Sequence, residues 1–296
     1  LFMNPSQENL NECAQRLDQS DDFQVLRKLK ARTQFNNPAS NTLHKVCIID
    51  TETTGLDTEK CEIIELGYQI VEFDSDGHFY RVLVARNYLN EPEGIISDEV
   101  TKVTGLTLKE VKGQHIPWEE VKKDLADVSL CVAHNASFDR PIVERYCEVF
   151  KEKIWGCSVA QIDWMSLADV GSRSQEFLCW KVGQFFYDAH RALDDVQALT
   201  ELLSKPISQP HTPAFHYLLN AARIKQVLIK ATGAPFEVKD DLRNQGYRWN
   251  ATARVWQKVM DESKLQDELA WLIAHNTPNP TVTKLKLNDR FSIRAT

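Results

Sequence analysis

Between residues 45 and 88 the chain runs three strand-like segments in succession, 45–53, 62–73 (EIIELGYQIVEF) and 79–88 (FYRVLVARNY), joined by the turn-forming stretches LDTEK and DSDG. Short turns between strands favour antiparallel neighbours, so the pattern predicts a meander. The pattern then changes to a helix over 117–126, a strand over 129–134 and a helix over 137–151. Helical stretches follow near 161–168 and 176–186, then a helix over 191–204. Together these predict a mixed α/β sheet. Upstream, residues 6–32 place Leu10, Cys13 and Leu17, then Phe23, Leu26 and Leu29, at helical spacing, with Ser6 and Ser20/Asp21 as caps. One or two amphipathic helices are expected there, followed by a turn-rich linker over 33–43. Past the helix at 191–204, the prolines of KPISQPHTP mark a boundary near 205. Three parts result: an N-terminal helical extension (1–40), a central α/β domain (44–205) and a C-terminal module (206–296).

Composition narrows the setting. With 43% hydrophobic and 26% charged residues the chain has the balance of a globular protein. No apolar run reaches the roughly 18 residues that span a bilayer, and no secretory signal opens the chain, so no membrane partner and a cytoplasmic location are expected. The seven cysteines form no C-x-x-C pair and fit free thiols in a reducing compartment. The net charge of −7 is unevenly spread: residues 206–296 hold 13 Lys+Arg against 8 Asp+Glu, while the first 205 carry a balance of −12. An acidic body can still take a polyanion if divalent cations occupy its carboxylates.

The acids sit at informative places. Asp50 and Glu52 end the apolar run Cys47-Ile48-Ile49, and in a strand residues two apart share a face. Two carboxylates on one face repel unless something lies between them; alone, the pair also suits a solvated strand end. In SLCVAHNASFDR (129–140) an apolar strand ends at His134-Asn135, Ser137 is a plausible N-cap, and Asp139 falls in the first helical turn, where a dipole partner is also common. In DAHRALDDVQAL (188–199) His190 and Asp195 stand five apart. They converge only if His190 lies in the loop and Asp195 enters the helix.

D-x-E after a strand, H-N-A-x-F-D and H-x-x-x-x-D, in this order, resemble the three motifs of the DEDDh exonucleases, relatives of the proofreading epsilon subunit of bacterial DNA polymerase III. The resemblance covers residues 45–204 directly and includes VTKVTGLT (100–107); the tail and the N-terminal helices resemble a bacterial subgroup with a small C-terminal module. It implies an RNase H-like mixed sheet flanked by helices, with a small α+β module after it. It also implies a metal-dependent 3′–5′ exonuclease that removes nucleotides from a free 3′ end of nucleic acid, DNA first. Asp50, Glu52, Asp139 and Asp195 would hold two divalent cations, Mg²⁺ or Mn²⁺, which suit hard carboxylate oxygens. His190 would be the general base, a task for which a histidine suits near neutral pH. The related subclass with Tyr four residues before the last Asp does not match, since Arg191 stands there. Thr53, Leu56 and His134 would contact the terminal nucleotide, although a Leu after Thr-Thr-Gly can be a core residue and His134 can satisfy a buried hydrogen bond. A polymerase or repair partner is expected only by analogy.

In the C-terminal part, YRWN and RVWQK read as two strands around the turn NATA, followed by a helix over 262–274. Lys239, Arg243, Arg248, Arg254 and Lys258 interleave with Tyr247, Trp249 and Trp256. That mixture suits a single-strand platform, and equally a small domain whose aromatics make its core. Two alternatives to a DNA exonuclease stand: an RNA-trimming enzyme, and an adaptor that keeps the fold and binds nucleic acid or docks a polymerase. No P-loop or Ser/His/Asp order supports an unrelated phosphatase.

Overall fold

A strand whose residues are apolar on both faces needs a sheet covered on both sides. A computed structural model of the protein describes residues 7–37, 42–208 and 211–295; the proposed cap Ser6 lies outside them. Helix α1 (Gln7–Asp18) comes first. The central sheet then uses β1 (His44–Thr53), β2 (Ile63–Phe73), β3 (Phe79–Leu89), β4 (Leu130–Ala133) and β5 (Ile154–Cys157), in the order β3-β2-β1-β4-β5. The first three pair antiparallel as a meander, while β4 and β5 add in parallel. This is the RNase H-like mixed sheet flanked by helices that the resemblance implies.

Helices cover both faces. On one side Val46, Ile48 and Val132 pack with Leu199 and Leu202 of α3 (Ala192–Ser204) and Phe215 and Leu218 of α4 (Ala214–Arg223). On the other, Cys47, Ile49 and Tyr68 pack with Ile142 and Val143 of α2 (Ala136–Tyr146). Because both faces are buried, β1 reads as a continuous apolar run until its last turn, where Asp50 and Glu52 emerge.

Strand β2 decides where α3 sits. Its Leu66, Tyr68 and Ile70 face the second core, whereas Glu65, Gly67 and Gln69 form a polar row under α3. Glu65 is fully buried and accepts hydrogen bonds from Arg191 Nη2 at 2.7 Å and from the Ala192 N–H at 3.0 Å. Gln69 accepts one from Thr200 Oγ1 at 3.0 Å. Between them, a Cβ at position 67 would stand 2.4 Å from the Ala192 carbonyl carbon and 2.5 Å from the Leu193 nitrogen. Gly67 therefore lets the first turn of α3 lie directly on the sheet, and Gly67 is the register partner of Asp50.

The flanking parts differ from the sequence reading. Of the one or two helices expected over 6–32, only α1 forms among the described residues. The Phe23–Leu29 run instead enters a short parallel pairing of Arg27–Lys28 with Phe185–Phe186. Leu29 and Phe35 pack against the first core, and Arg32 pairs with Glu201 at 2.7 Å. Residues 206–223 were expected in the C-terminal module, yet Ile207, Phe215 and Leu218 belong to the core of the central domain. Prolines mark a turn in the chain there, but the apolar face of α4 is large enough to be drawn into that core.

The module proper begins at β6 (Gln226–Lys230). It adds β7 (Arg248–Asn250), β8 (Val255–Asp261) and β9 (Thr281–Lys284) in the antiparallel order β7-β8-β6-β9, with α5 (Leu265–Ala274) on one face. After β9 the chain returns to the central domain. Arg140 of α2, fully buried, donates to the carbonyl oxygens of Asn288 and Arg290 and to Glu144 Oε1 at 2.7 Å, and Arg294 pairs with the same Glu144 at 2.7 Å.

Two substitutions test this packing by thermal unfolding. Gly67→Ala forces the backbone of α3 off the sheet and is expected to destabilise by about 1–3 kcal/mol. Arg140→Leu takes the donor from the buried Arg290 carbonyl and one of two guanidinium partners from Glu144, which keeps Arg294, and is expected to cost roughly 1–3 kcal/mol. A midpoint unchanged within a degree would contradict either account.

Candidate active site

Three elements deliver four acids to one pocket, which is lined by Asp50, Glu52, Leu56, His134, Phe138, Asp139, Gln175, His190 and Asp195. Asp50 and Glu52 share the face at the end of β1, as the two-residue period requires. Asp139 comes from the first turn of α2, whose N-cap is Asn135; Ser137, expected to cap it, lies inside the helix, which begins one residue earlier at Ala136. Asp195 comes from the first turn of α3 and His190 from the loop before it, with φ +68. Carboxylate oxygens of Asp50, Glu52 and Asp195 lie within 4.8 Å of one another.

Each anchor of these groups is specific. Thr51 donates to Asp139 Oδ1 twice, from its N–H at 3.1 Å and from its hydroxyl at 2.9 Å. Asp195 Oδ1 accepts from Tyr187 Oη at 2.7 Å and from Gln175 Nε2 at 3.2 Å; its Oδ2 accepts the His190 N–H at 2.8 Å. That last bond explains the left-handed backbone at His190: it closes the loop over five residues onto the helix. Thr51, Gln175, Tyr187, Glu65 and Arg191 are absent from the residues singled out by sequence. Only Arg191 carried a signal, as the residue beside His190.

Electrostatics at the pocket are adverse for four anions. Burial raises the Asp50 carboxyl well above its ordinary range, and Asp139, Asp195 and Glu52 add to it. Glu52 is pushed up to about 8, by burial first and then by Asp195. Asp139 is pushed up to about 7 by burial, against the two hydrogen bonds from Thr51. Burial also raises Asp195, despite its bonds to Tyr187 and His190. Glu65 is the exception. Burial alone would raise it, but hydrogen bonds from Arg191, Asn87 and the Ala192 N–H outweigh that and hold it below the ordinary value.

The three residues expected to contact a terminal nucleotide are placed differently. Leu56 is 89% exposed at the pocket lip. That is a large apolar side chain left in water, the opposite of a core residue. Thr53 is buried and donates its hydroxyl to the Gly55 carbonyl at 2.7 Å, within its own turn. His134 lines the pocket with both ring nitrogens engaged: Nε2 faces the Arg173 carbonyl at 2.8 Å, so it carries the proton, and Nδ1 accepts from the Ser158 hydroxyl at 2.6 Å. Burial lowers its proton affinity. His134 thus pins the loop at Arg173 beside the site.

A family profile described as Exonuclease (RNase_T) matches residues 47–203. The DNA polymerase III PolC-type protein of Thermotoga petrophila is 28% identical over 191 residues, which are 62% of this chain and 13% of that protein. The corresponding share of the Thermotoga maritima protein is 15%, so the chain spans a small fraction of these relatives. DNA polymerase III subunit epsilon of Treponema pallidum is 30% identical over 169 residues, 54% of this chain and 74% of that protein. Among solved structures, Exonuclease X in complex with 5′-overhanging duplex DNA superposes with a TM-score of 0.41 at 25% identity, covering 54% of this chain and 89% of that one. Exonuclease I superposes with a TM-score of 0.47 at 17% identity, over 83% and 63%. Since the matched segment takes in more than half of the chain and all four converging carboxylates, the protein belongs to the exonuclease family.

Proposed function

We propose that the protein is a divalent-cation-dependent 3′–5′ exonuclease of the DEDDh type acting on DNA. The observation that carries this reading is the convergence of Asp50, Glu52 and Asp195 oxygens within 4.8 Å, with Asp139 in the same pocket. Carboxylates so close, raised by burial and by one another, are a donor set of hard oxygens in need of positive charge, which fits Mg²⁺ or Mn²⁺ and not a thiolate- or imidazole-seeking metal. Asp50, Glu52, Asp139 and Asp195 would hold the cations. Bound there, they would supply Lewis-acid activation of water and of the leaving oxygen, and would offset the charge of the phosphate.

The chain's own groups do the rest. His190, held at the pocket edge by its N–H bond to Asp195, accepts the proton of the attacking water. Water adds to the terminal phosphorus and the bond to the 3′ oxygen breaks, releasing a nucleoside 5′-monophosphate and a strand with a new 3′-hydroxyl. Exposed Leu56 offers an apolar surface to the terminal base. Because recognition rests on the end of the chain and on its phosphate, base sequence matters little. Free cysteines among the described residues suit a reducing cytoplasm, and the relatives' names point to a DNA polymerase as the class of partner.

On 5′-labelled single-stranded DNA with Mg²⁺, a ladder shortening from the 3′ end is expected, abolished by EDTA and by Asp195→Ala. His190→Ala should lower kcat by about 10²- to 10⁴-fold while keeping cation binding. Absence of cleavage of DNA with RNA cleaved would move the substrate to RNA, and nucleic-acid binding indifferent to cations and to Asp195→Ala would favour the adaptor.

Stability should follow the same carboxylates. Their folded affinities for protons exceed the ordinary range near 4, so between about pH 4 and pH 8 the folded state binds more protons than the unfolded one. Stability without cations is therefore present at low pH and lost as pH rises through about 7 and 8. Thermal unfolding in EDTA should show this decline, Mg²⁺ should raise the midpoint more at pH 8 than at pH 6, and Glu52→Gln should raise the EDTA midpoint at pH 8 by about a few degrees. A midpoint that rises with pH in EDTA would refute the argument.

A further inference from the structure

A second cavity, of about 590 Å³, opens between the central domain and the C-terminal module. Its module wall is the sheet face that carries no helix. Strand alternation puts Val227 and Ile229 against α5, leaving Gln226, Val259 and Arg248 to face the cleft. Ser137 and Gln161 form the opposing wall, and the returning tail, with Arg290 and Phe291, lines it as well.

We propose that this cleft is the track for the single strand of nucleic acid whose 3′ end lies among the carboxylates. The proposal rests on the exonuclease reading and adds to it where the rest of the strand runs. Continuity is the first support. Ser137 adjoins Phe138, and Thr58 of the cleft lies two residues past Leu56, both lining the acid pocket. The Val159 N–H bond to the His134 carbonyl, at 3.0 Å, ties the other lip to it.

Charge is the second support. In a protein of net charge −7, no Asp or Glu lines the cleft among the described residues, while Arg248 and Arg290 do. Arg290 is 3% exposed; its Nη1 donates to the Ala221 and Ala222 carbonyls at 2.9 and 3.2 Å, and its Nη2 has no acceptor among the described residues. Asp261 is the carboxylate whose field acts on it. A buried guanidinium short of one acceptor attracts an anion into the adjoining space. Val259, 43% exposed, and Leu285 and Phe291 supply apolar surface for bases beside these cations, the combination that takes a strand without regard to sequence.

The aromatic residues of the module take no part in this face. Tyr247 is buried, Trp256 packs against the module core, and Trp249 pairs with Trp256 on the side of α5. The proposed track therefore runs on an arginine-bearing strand face, on the other side of the module sheet from Trp249 and Trp256.

The test compares two substrates of the same enzyme, thymidine 5′-(4-nitrophenyl) phosphate, which fills only the acid pocket, and a long oligothymidylate. Arg248→Glu is expected to lower the ratio of oligonucleotide to ester kcat/KM by roughly tenfold or more, and to flatten the salt dependence of the oligonucleotide reaction by about the slope of one phosphate contact. In a Cys13→Ser background, which removes the exposed thiol, Val259→Cys should form a disulfide with an oligonucleotide bearing a thiol tether several nucleotides from its 3′ end. An unchanged ratio and salt slope, or failure of the cross-link with a strand that is being cleaved, would overturn the track and assign the face to a protein partner. Failure of the wild type on both substrates would instead remove the exonuclease reading, and this one with it.

Discussion

The helix that carries Asp195 is seated at its first turns on a polar row of β2, and the geometry of the pocket depends on that contact. Glu65 takes the Ala192 N–H and the Arg191 guanidinium, Gly67 gives way to the backbone, and Gln69 receives Thr200 two residues on. Glu65 thus holds the start of the helix, Gly67 lets its first turn onto the strand, and Gln69 holds Thr200 two turns further along. Since Gly67 pairs with Asp50, the absence of a side chain at 67 is what allows carboxylates from β1 and α3 to approach each other.

Two kinds of buried charge stand side by side. Glu65 is paired with Arg191 and fully bonded, so its charge serves to hold a loop. The pocket carboxylates are only partly bonded; Thr51 and Tyr187 fix their orientation without matching their charge. A fold that merely needed to be stable would not keep such groups together. Orientation supplied by the protein and charge left for a ligand is the division of labour expected of a preorganised site.

How much of this was legible in the sequence follows from period and distance. The shared face of Asp50 and Glu52 and the loop position of His190 are local properties, and motif order made the fold readable. The seat of α3 was not, because Glu65, Gly67 and Gln69 alternate with Leu66, Tyr68 and Ile70 just as an exposed strand face would. Gln175 and Tyr187 reach Asp195 from segments with no periodic signature. Ile154–Cys157 is too short to stand out as a strand. The second N-terminal helix failed because Phe23–Leu29 finds partners across the chain at Phe185–Phe186, where tertiary pairing outweighs local spacing. Prolines near 205 signalled a boundary, but the destination of α4 depended on an apolar face that only the first core could bury.

The C-terminal module is fastened to the central domain twice, by α4 on entry and by the Arg140–Glu144–Arg294 latch on return. A domain hung on one linker samples a volume, and its local concentration falls as the linker lengthens. A domain built as a handle, with both roots set in the same wall, has no such volume to explore. Its remaining motion is a rocking about the line between the two roots, which would widen or narrow the space beneath the handle without ever carrying the module away from it.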